Sequence, residues 1–517
     1  MGPWSLAGPM TRWETPPPVS VERARQGPLQ SAVRLLGVVH PLLFAAAYVL
    51  ERFAGTNTAI PELWRPLLVA ILVAGALTLG LWAILRNPYA AAMVASAILL
   101  AAAFHPIPAL ILVGLILWWA GTSVIRRRRG LAPRAVGTGS LVVQAASAYA
   151  VVLLVAALFA SLPAFTLGVA QRPSLPAGGD SAAGPDIYLL LLDGYPRGDT
   201  LATEFGHDNS AFELELADLG FEVAPDALAD HNKTWLTVAT MLNGQYVTDI
   251  PEIADPPGDA PGQVRLLHTL INDGAVLDVL QARGYTVRSI PSPVMSTDVT
   301  ADAEVWWTPH LNAFEIALVS ASAPAFIFPD AVLDFLSADA RGLIVDQLDA
   351  FAATASQPGP QLVLAHAMAP HPPFVLGGEL DYLRDCFPAC KVWETTLEET
   401  GMTANAYAAH LRSQVEALNH KVIATLSQIV EDDPEAIVIV MSDHGARIEA
   451  DATDEHFRIL FAARTPGLDG LFADDQAPVN IFRRILSSTA FDEDLPDLPY
   501  RSWASDWFAP LKLGERR

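Results

Sequence analysis

Four short stretches of this 517-residue chain carry residue types that could do metal or phosphoryl chemistry. The apolar run Ile187–Leu192 ends in Asp193-Gly194, and Ile437–Met441 ends in Ser442-Asp443-His444-Gly445. A carboxylate, alone or with an imidazole, directly after a buried strand suits ligation of a divalent cation, and the glycine lets the backbone turn away sharply. Lys233-Thr234 opens a helical pattern, where unpaired backbone N–H groups favour an anion. His366 ends a further apolar run and is followed by Pro370-His371-Pro372-Pro373-Phe374. Each has a plainer alternative: Asp193 as a turn cap, Thr234 as a helix N-cap, His371 as a stiff loop residue between prolines.

The elements that must position these residues are legible in outline. Strands are predicted at Asp186–Leu192, Thr286–Ile290, Gln361–Ala365, Ala436–Met441 and Ile459–Ala463. Helices are predicted at Ser210–Leu219, Thr234–Leu242, Ala275–Arg283, Ala340–Thr354, Ala404–Val430 and Val479–Leu486. Unbroken apolar strands between amphipathic helices imply an α/β domain with a central, mostly parallel sheet covered on both faces. Chemistry in such sheets sits beyond the carboxyl ends of the strands, where three of the four stretches fall.

The chain is 52% hydrophobic and 17% charged with mean hydropathy +0.32, too apolar for an ordinary soluble enzyme. Disorder, collagen and a disulfide-stapled miniprotein are excluded. Residues 1–170 hold 12 basic and 4 acidic side chains, net +8, and the rest is net −32. That asymmetry indicates a membrane part joined to a water-soluble part, and so acidic a domain should not bind nucleic acid. Apolar runs at Leu35–Leu50, Pro66–Leu85, Tyr89–Phe104, Ile107–Ile125 and Leu141–Leu162 predict a bundle of about five transmembrane helices. Ten arginines fall on one side of such a bundle, Arg126 to Arg129 among them, against Arg52 and Arg65 on the other. Positive short loops stay inside, so the N-terminus is expected in the cytoplasm and the domain after Leu162 outside. The implied organisation is a cytoplasmic tail over 1–34, five helices over 35–162, a Pro/Gly/Ser-rich linker over 163–185 and an external domain over 186–517.

Taken in order, the motifs resemble the sulfatase-like branch of the alkaline phosphatase superfamily. Asp193-Gly194 resembles its first metal-binding aspartate. Asp208-Asn209-Ser210-x-Phe212 with Leu219 to Val223 resembles the next helix and strand, and Thr234 to Tyr246 the segment that begins with the nucleophile. Pro370-His371-x-Pro373-Phe374, Ser442-Asp443-His444-Gly445 and Pro478 to Arg483 are similar to downstream motifs, and helices before an external domain are similar to lipoteichoic acid synthases and phosphoethanolamine transferases. The departures are informative. Sulfatases carry a modified cysteine or serine in a Cys/Ser-x-Pro-x-Arg run, whereas this chain has Thr234 and Val238 at the two key positions. The usual aspartate doublet is the single Asp193.

The resemblance therefore implies a membrane-bound phosphotransferase with Thr234 as nucleophile. Asp193, Asp443, His444 and the Thr234 oxygen would hold one divalent ion, with Mn or Zn suiting the mixed N/O set better than Mg or Ca. His371 would protonate the leaving group or bind phosphate, Lys233 would pair with a phosphate oxygen, and His366 would be a reserve for substrate binding. Envelope lipids or glycans are the expected substrates. The alternatives are a phosphodiesterase or sulfatase-type hydrolase of the same fold, or a non-catalytic envelope protein. Nothing in the sequence sets the oligomeric state.

Smaller features complete the reading. Cys386 and Cys390 outside the cell predict a local disulfide. Trp306-Trp307 and Trp393 read as core or rim packing, and His456 as a surface residue that could instead approach the site. Asn232-Lys233-Thr234 matches a glycosylation sequon by chance, since a glycan there would block the nucleophile.

Overall fold

The computed structural model describes residues 28–103 except 57, isolated positions between 110 and 130, and then 141–162 and 172–176. It further describes 184–505, apart from 255–259, 379, most of 391–400, 447–452, 490 and 492, together with 513–516. Three helices among the described residues are long and apolar enough to cross a membrane: α1 (Pro28–Ala54), α2 (Ile60–Leu85) and α4 (Leu141–Ser161). At 1.5 Å per residue they measure about 40, 39 and 32 Å against a hydrocarbon layer of about 30 Å.

Among the described residues the count is three rather than the expected five. The third predicted span is α3 (Pro88–Ala102), whose 15 residues reach only about 22 Å. Asn87 caps its start, accepting from the Tyr89 and Ala90 amides at 3.0 Å, and Pro88 fits the first helical position. The fourth, 107–125, lies largely outside the described residues, as do residues 1–27 and most of 163–185; residues 28–34 of the expected tail are helical.

α1 and α4 run parallel. Ser147 Oγ donates to Leu36 O at 3.1 Å and Ser161 Oγ to Leu50 O at 3.3 Å, the same 14-residue advance along both helices. Small residues such as Ala146, Ala150 and Ala157 are buried in this bundle, while α2 leaves Leu68, Leu72, Leu79 and Ile84 exposed. So wide an apolar surface fits lipid rather than water.

After residue 184 the chain builds a seven-stranded sheet in the order β2-β7-β6-β1-β5-β3-β4. The strands are β1 (Ile187–Leu192), β2 (Glu222–Val223), β3 (Thr286–Ile290), β4 (Glu304–Val305), β5 (Gln361–Ala367), β6 (Ile437–Met441) and β7 (Phe461–Arg464). β6, β1, β5, β3 and β4 are parallel; β7 and β2 add an antiparallel edge. β1 and β6 are buried along their whole length because helices cover both faces. Tyr188, Leu190 and Leu192 enter one core with α8 (Pro329–Ala353) and α9 (Ala404–Asp432). Ile187, Leu189 and Leu191 enter the other with α5 (Thr234–Asn243) and α10 (Ile481–Ser487).

The predicted strands are present, displaced by up to two residues, and the helices likewise. α8 begins eleven residues earlier than its apolar pattern suggested, at Pro329, a natural helix-starting residue. The two-residue strands β2 and β4 are too short to leave a period.

Candidate metal and phosphoryl-transfer site

β1 lies between β5 and β6, so three strand ends converge. The pairs Leu191↔His366 and Leu191↔Met441 set the register, and two residues further on Asp193 and Asp443 stand side by side. Gly194 makes the turn after Asp193 with φ of 70°, a conformation that favours glycine. Its amide donates to Asp443 Oδ1 at 3.0 Å and so fixes that carboxylate. Ser442 Oγ accepts from the Tyr195 amide at 2.8 Å and donates to His444 O at 2.6 Å, tying the two loops together.

Asp193, Asp443 and His444 form a buried group whose potential ligand atoms lie within 4.8 Å of one another. His444 Nε2 is 3.4 Å from Asp193 Oδ1 and 3.2 Å from Asp443 Oδ2. None of these three atoms has a hydrogen-bond partner, although all are buried. His444 Nδ1 lies 2.8 Å from Gly445 O, an acceptor only, so the ring proton belongs on Nδ1 and the Nε2 lone pair faces the two carboxylates. Two carboxylate oxygens and an imidazole lone pair converging on one point in the interior fit a divalent cation, which alone would turn three unpaired acceptors into ligands.

Around this group sit His366, the reserve candidate of the sequence reading, and two residues that reading did not flag, Thr297 and Asp298. His366 is buried, with Nε2 3.2 Å from Asp193 Oδ2 and Nδ1 3.0 Å from Thr297 Oγ1 and 3.5 Å from Asp298 Oδ1. Burial opposes charge on His366, but Asp193 and Asp298 outweigh it and raise its pKa to about 10. Burial likewise opposes ionisation of Asp193, and His371, His366 and His444 together hold it well below the ordinary carboxylate range. Asp298 and Thr297 sit in a loop far from any motif, and their only local signal is that they follow β3.

The first turn of α5 is pinned to the Asp443 loop, since Thr237 Oγ1 donates to Asp443 O at 3.0 Å. Thr234 lies one turn earlier, buried, at the first position of the helix; the cap position belongs to Lys233, so Thr234 is not the N-cap. Lys233 is itself buried, and Asn232 is buried too, leaving no room for a glycan. The His371 amide donates to Asp193 O at 3.0 Å, and His371, His444, Gly194 and Gly445 line one narrow cleft. Gln414 Nε2 holds the His371 loop through His371 O and Pro373 O.

His456 is buried rather than on the surface, and its carbonyl accepts from the Gly445 amide at 2.8 Å. A Cβ at Gly445 would collide with Glu455 O and approach Arg458 O to 2.7 Å. Gly445→Ala is therefore expected to cost about 1–3 kcal/mol, and an unchanged thermal midpoint would contradict that close approach. Cys386 and Cys390 are disulfide-bonded. Trp306 packs at the edge of the core, Trp307 is exposed, and Trp393 lies outside the described residues.

Asp230 anchors the segment leading to Thr234, accepting from the Val479 amide at 2.8 Å. Burial pushes its pKa up to about 8, overriding that hydrogen bond. A carboxyl whose folded pKa is raised stabilises the fold fully below its unfolded value near 4, and that contribution is lost as pH rises through about 8. Asp230→Asn keeps an acceptor for Val479 without the charge. It should raise the thermal midpoint by several degrees at pH 8–9 and not at pH 4; an equal gap at both would refute the assignment.

The fold and site thus define an α/β domain with a buried Asp/Asp/His cluster at the strand ends that could hold a metal ion, joined to apolar helices. No family model matches the chain, and no curated protein matches it. Among solved structures it is similar to the integral membrane lipooligosaccharide phosphoethanolamine transferase A of Neisseria meningitidis, at 14% identity over 84% of this chain and 79% of that one, TM-score 0.36. It is also similar to the C-terminal periplasmic domain of EptC from Escherichia coli in complex with Zn, at 12% identity over 64% and 87%, TM-score 0.37. A third is the phosphonate monoester hydrolase of Silicibacter pomeroyi, at 14% identity over 63% and 81%, TM-score 0.39.

Proposed function

We propose that this protein is a membrane-anchored, metal-dependent phosphotransferase that works through a phosphothreonine at Thr234 on phosphate esters of envelope lipids or glycans. The observation that carries the reading is the trio of unpaired acceptor atoms of Asp193, Asp443 and His444, set beside the helix that begins with Thr234. These three residues with the Thr234 oxygen would hold one Mn or Zn ion, which when bound lowers the hydroxyl pKa and neutralises phosphate charge. Thr234 Oγ, having released its proton to solvent, forms the new O–P bond as the ester O–P bond breaks, and protonated His371 gives a proton to the departing alkoxide. A second hydroxyl then takes the group from Thr234: a sugar or lipid hydroxyl makes the protein a transferase, water a hydrolase. Lys233 pairs with a phosphate oxygen. His366, held between Asp193 and Asp298, is a positioning residue that orients Asp193 through its hydrogen bond.

Orientation belongs to the same proposal. α1 and α4 run parallel and α4 leads into the α/β domain, so three spans or five place that domain opposite the N-terminus, and the arginines put the N-terminus inside. Reporter fusions at Arg129 and Arg517 should report opposite sides; agreement between them would sink the topology. The test of the chemistry is intact-mass and peptide analysis of the full protein after incubation with phospholipid, in which a modified Thr234 is expected. A modification elsewhere, or none during measured turnover, would count against it.

A further inference from the structure

Residues 316–329 are fourteen consecutive positions without a charge. They cover the end of α6 (Ala313–Ser320), all of α7 (Ala323–Ile327) and the first residue of α8. A run of that length is too short to span a bilayer and has the size of a buried helix or an interfacial segment. It is not buried at its tip: Phe326, Ile327 and Phe328 are 55%, 65% and 63% exposed, and Phe335 on α8 is exposed beside them.

The tip's depth follows from how α6 lies on α2. Asn312 Nδ2 donates to Glu62 O at 3.4 Å, and Arg65 Nε donates to Glu315 Oε1 at 2.6 Å. Leu318 then packs in a cluster with Leu67 and Ala70, and it shares with Val69 and Val73 the wall of an apolar cavity of about 490 Å³. Phe314 packs edge-on against Phe53 of α1. Each step along α6 is matched by a step along α2 in the same direction, away from the end where Asn312 meets Glu62. From Glu62 to Val69 that is about 10 Å. α7 begins at the deep end of α6, and α8 returns toward the α/β domain. Beside the tip, the exposed carboxylates Asp330 and Asp334 are paired with Arg384, at 3.5 and 2.7 Å.

On the reading that α2 spans a bilayer, we infer that Phe326-Ile327-Phe328 is a wedge that enters the leaflet facing the α/β domain and seats that domain on the lipid surface. Its partner is the acyl region just below the headgroups. Three large apolar side chains in sequence match that layer, and the wedge continues an interface already formed with the membrane helices.

The test uses the full chain in nanodiscs holding one copy each. Both native cysteines are paired, so Ile327→Cys introduces one thiol that takes a nitroxide label. Its accessibility to oxygen and to a water-soluble nickel chelate is compared with labels at Ile84→Cys, exposed on α2, and Leu214→Cys, exposed on the α/β domain. The inference expects the label at Ile327 to favour oxygen severalfold over that at Leu214, as at Ile84, with Phe326→Cys as a second site. A water-like label at Ile327 alongside a lipid-like one at Ile84 overturns the wedge and leaves the membrane reading standing. Water-like labels at both overturn the wedge together with the membrane reading. A label at Ile327 shielded from both reagents means protein covers the tip, a second copy in particular, and also overturns it.

Discussion

Asp443→Ala is expected to strip the protein of its divalent ion, from about one per chain to near none, with turnover falling at least a thousandfold. Asp443 does two jobs: Oδ1 accepts from the Gly194 amide, and the unpaired Oδ2 points toward His444 Nε2. Asp443→Asn separates them, because an amide oxygen can still accept from Gly194 but brings no charge to the ion. Metal binding should therefore collapse in both variants, while the thermal midpoint falls further in the alanine variant. Elemental mass spectrometry of purified wild type and variants, after supplementation with Mn and with Zn, reads this directly. Two ions per wild-type chain would replace the one-metal reading with a two-metal one. A folded wild type that takes up no ion would move the protein to the non-catalytic alternative.

The second large effect is at Thr234. Thr234→Ala should lower turnover of a phosphodiester surrogate by at least about a thousandfold and abolish the phosphorylated species, whereas Thr234→Ser keeps a hydroxyl and a measurable rate. The fold should survive either change, because Thr234 begins its helix and the first turn is anchored by Thr237. In the proposed mechanism nucleophile and metal act as one unit, so Thr234→Ala combined with Asp443→Ala should be no slower than the worse single variant. Losses that multiply would show that the two residues act independently, and full activity in Thr234→Ala would eliminate the covalent route.

Much of this was written locally in the chain. Asp193-Gly194 and Ser442-Asp443-His444-Gly445 are readable because a strand end, a potential ligand and a turn residue are neighbours in sequence, and Thr234 because it opens a helix. The three long helices follow from uninterrupted hydropathy, which needs no knowledge of partners, and the short spacing of Cys386 and Cys390 sufficed for their pairing. Tertiary structure decided what depends on distant segments. The sheet order sets β1 between β5 and β6, so that residues 193 and 443 meet and His366 turns its two nitrogens to Asp193 and Asp298. Nor could periodicity show that the uncharged run after Glu315 stays exposed at its tip, because an apolar segment looks the same whether protein or lipid covers it. Local chemistry fixes what a residue can do, and long-range packing alone fixes what it faces.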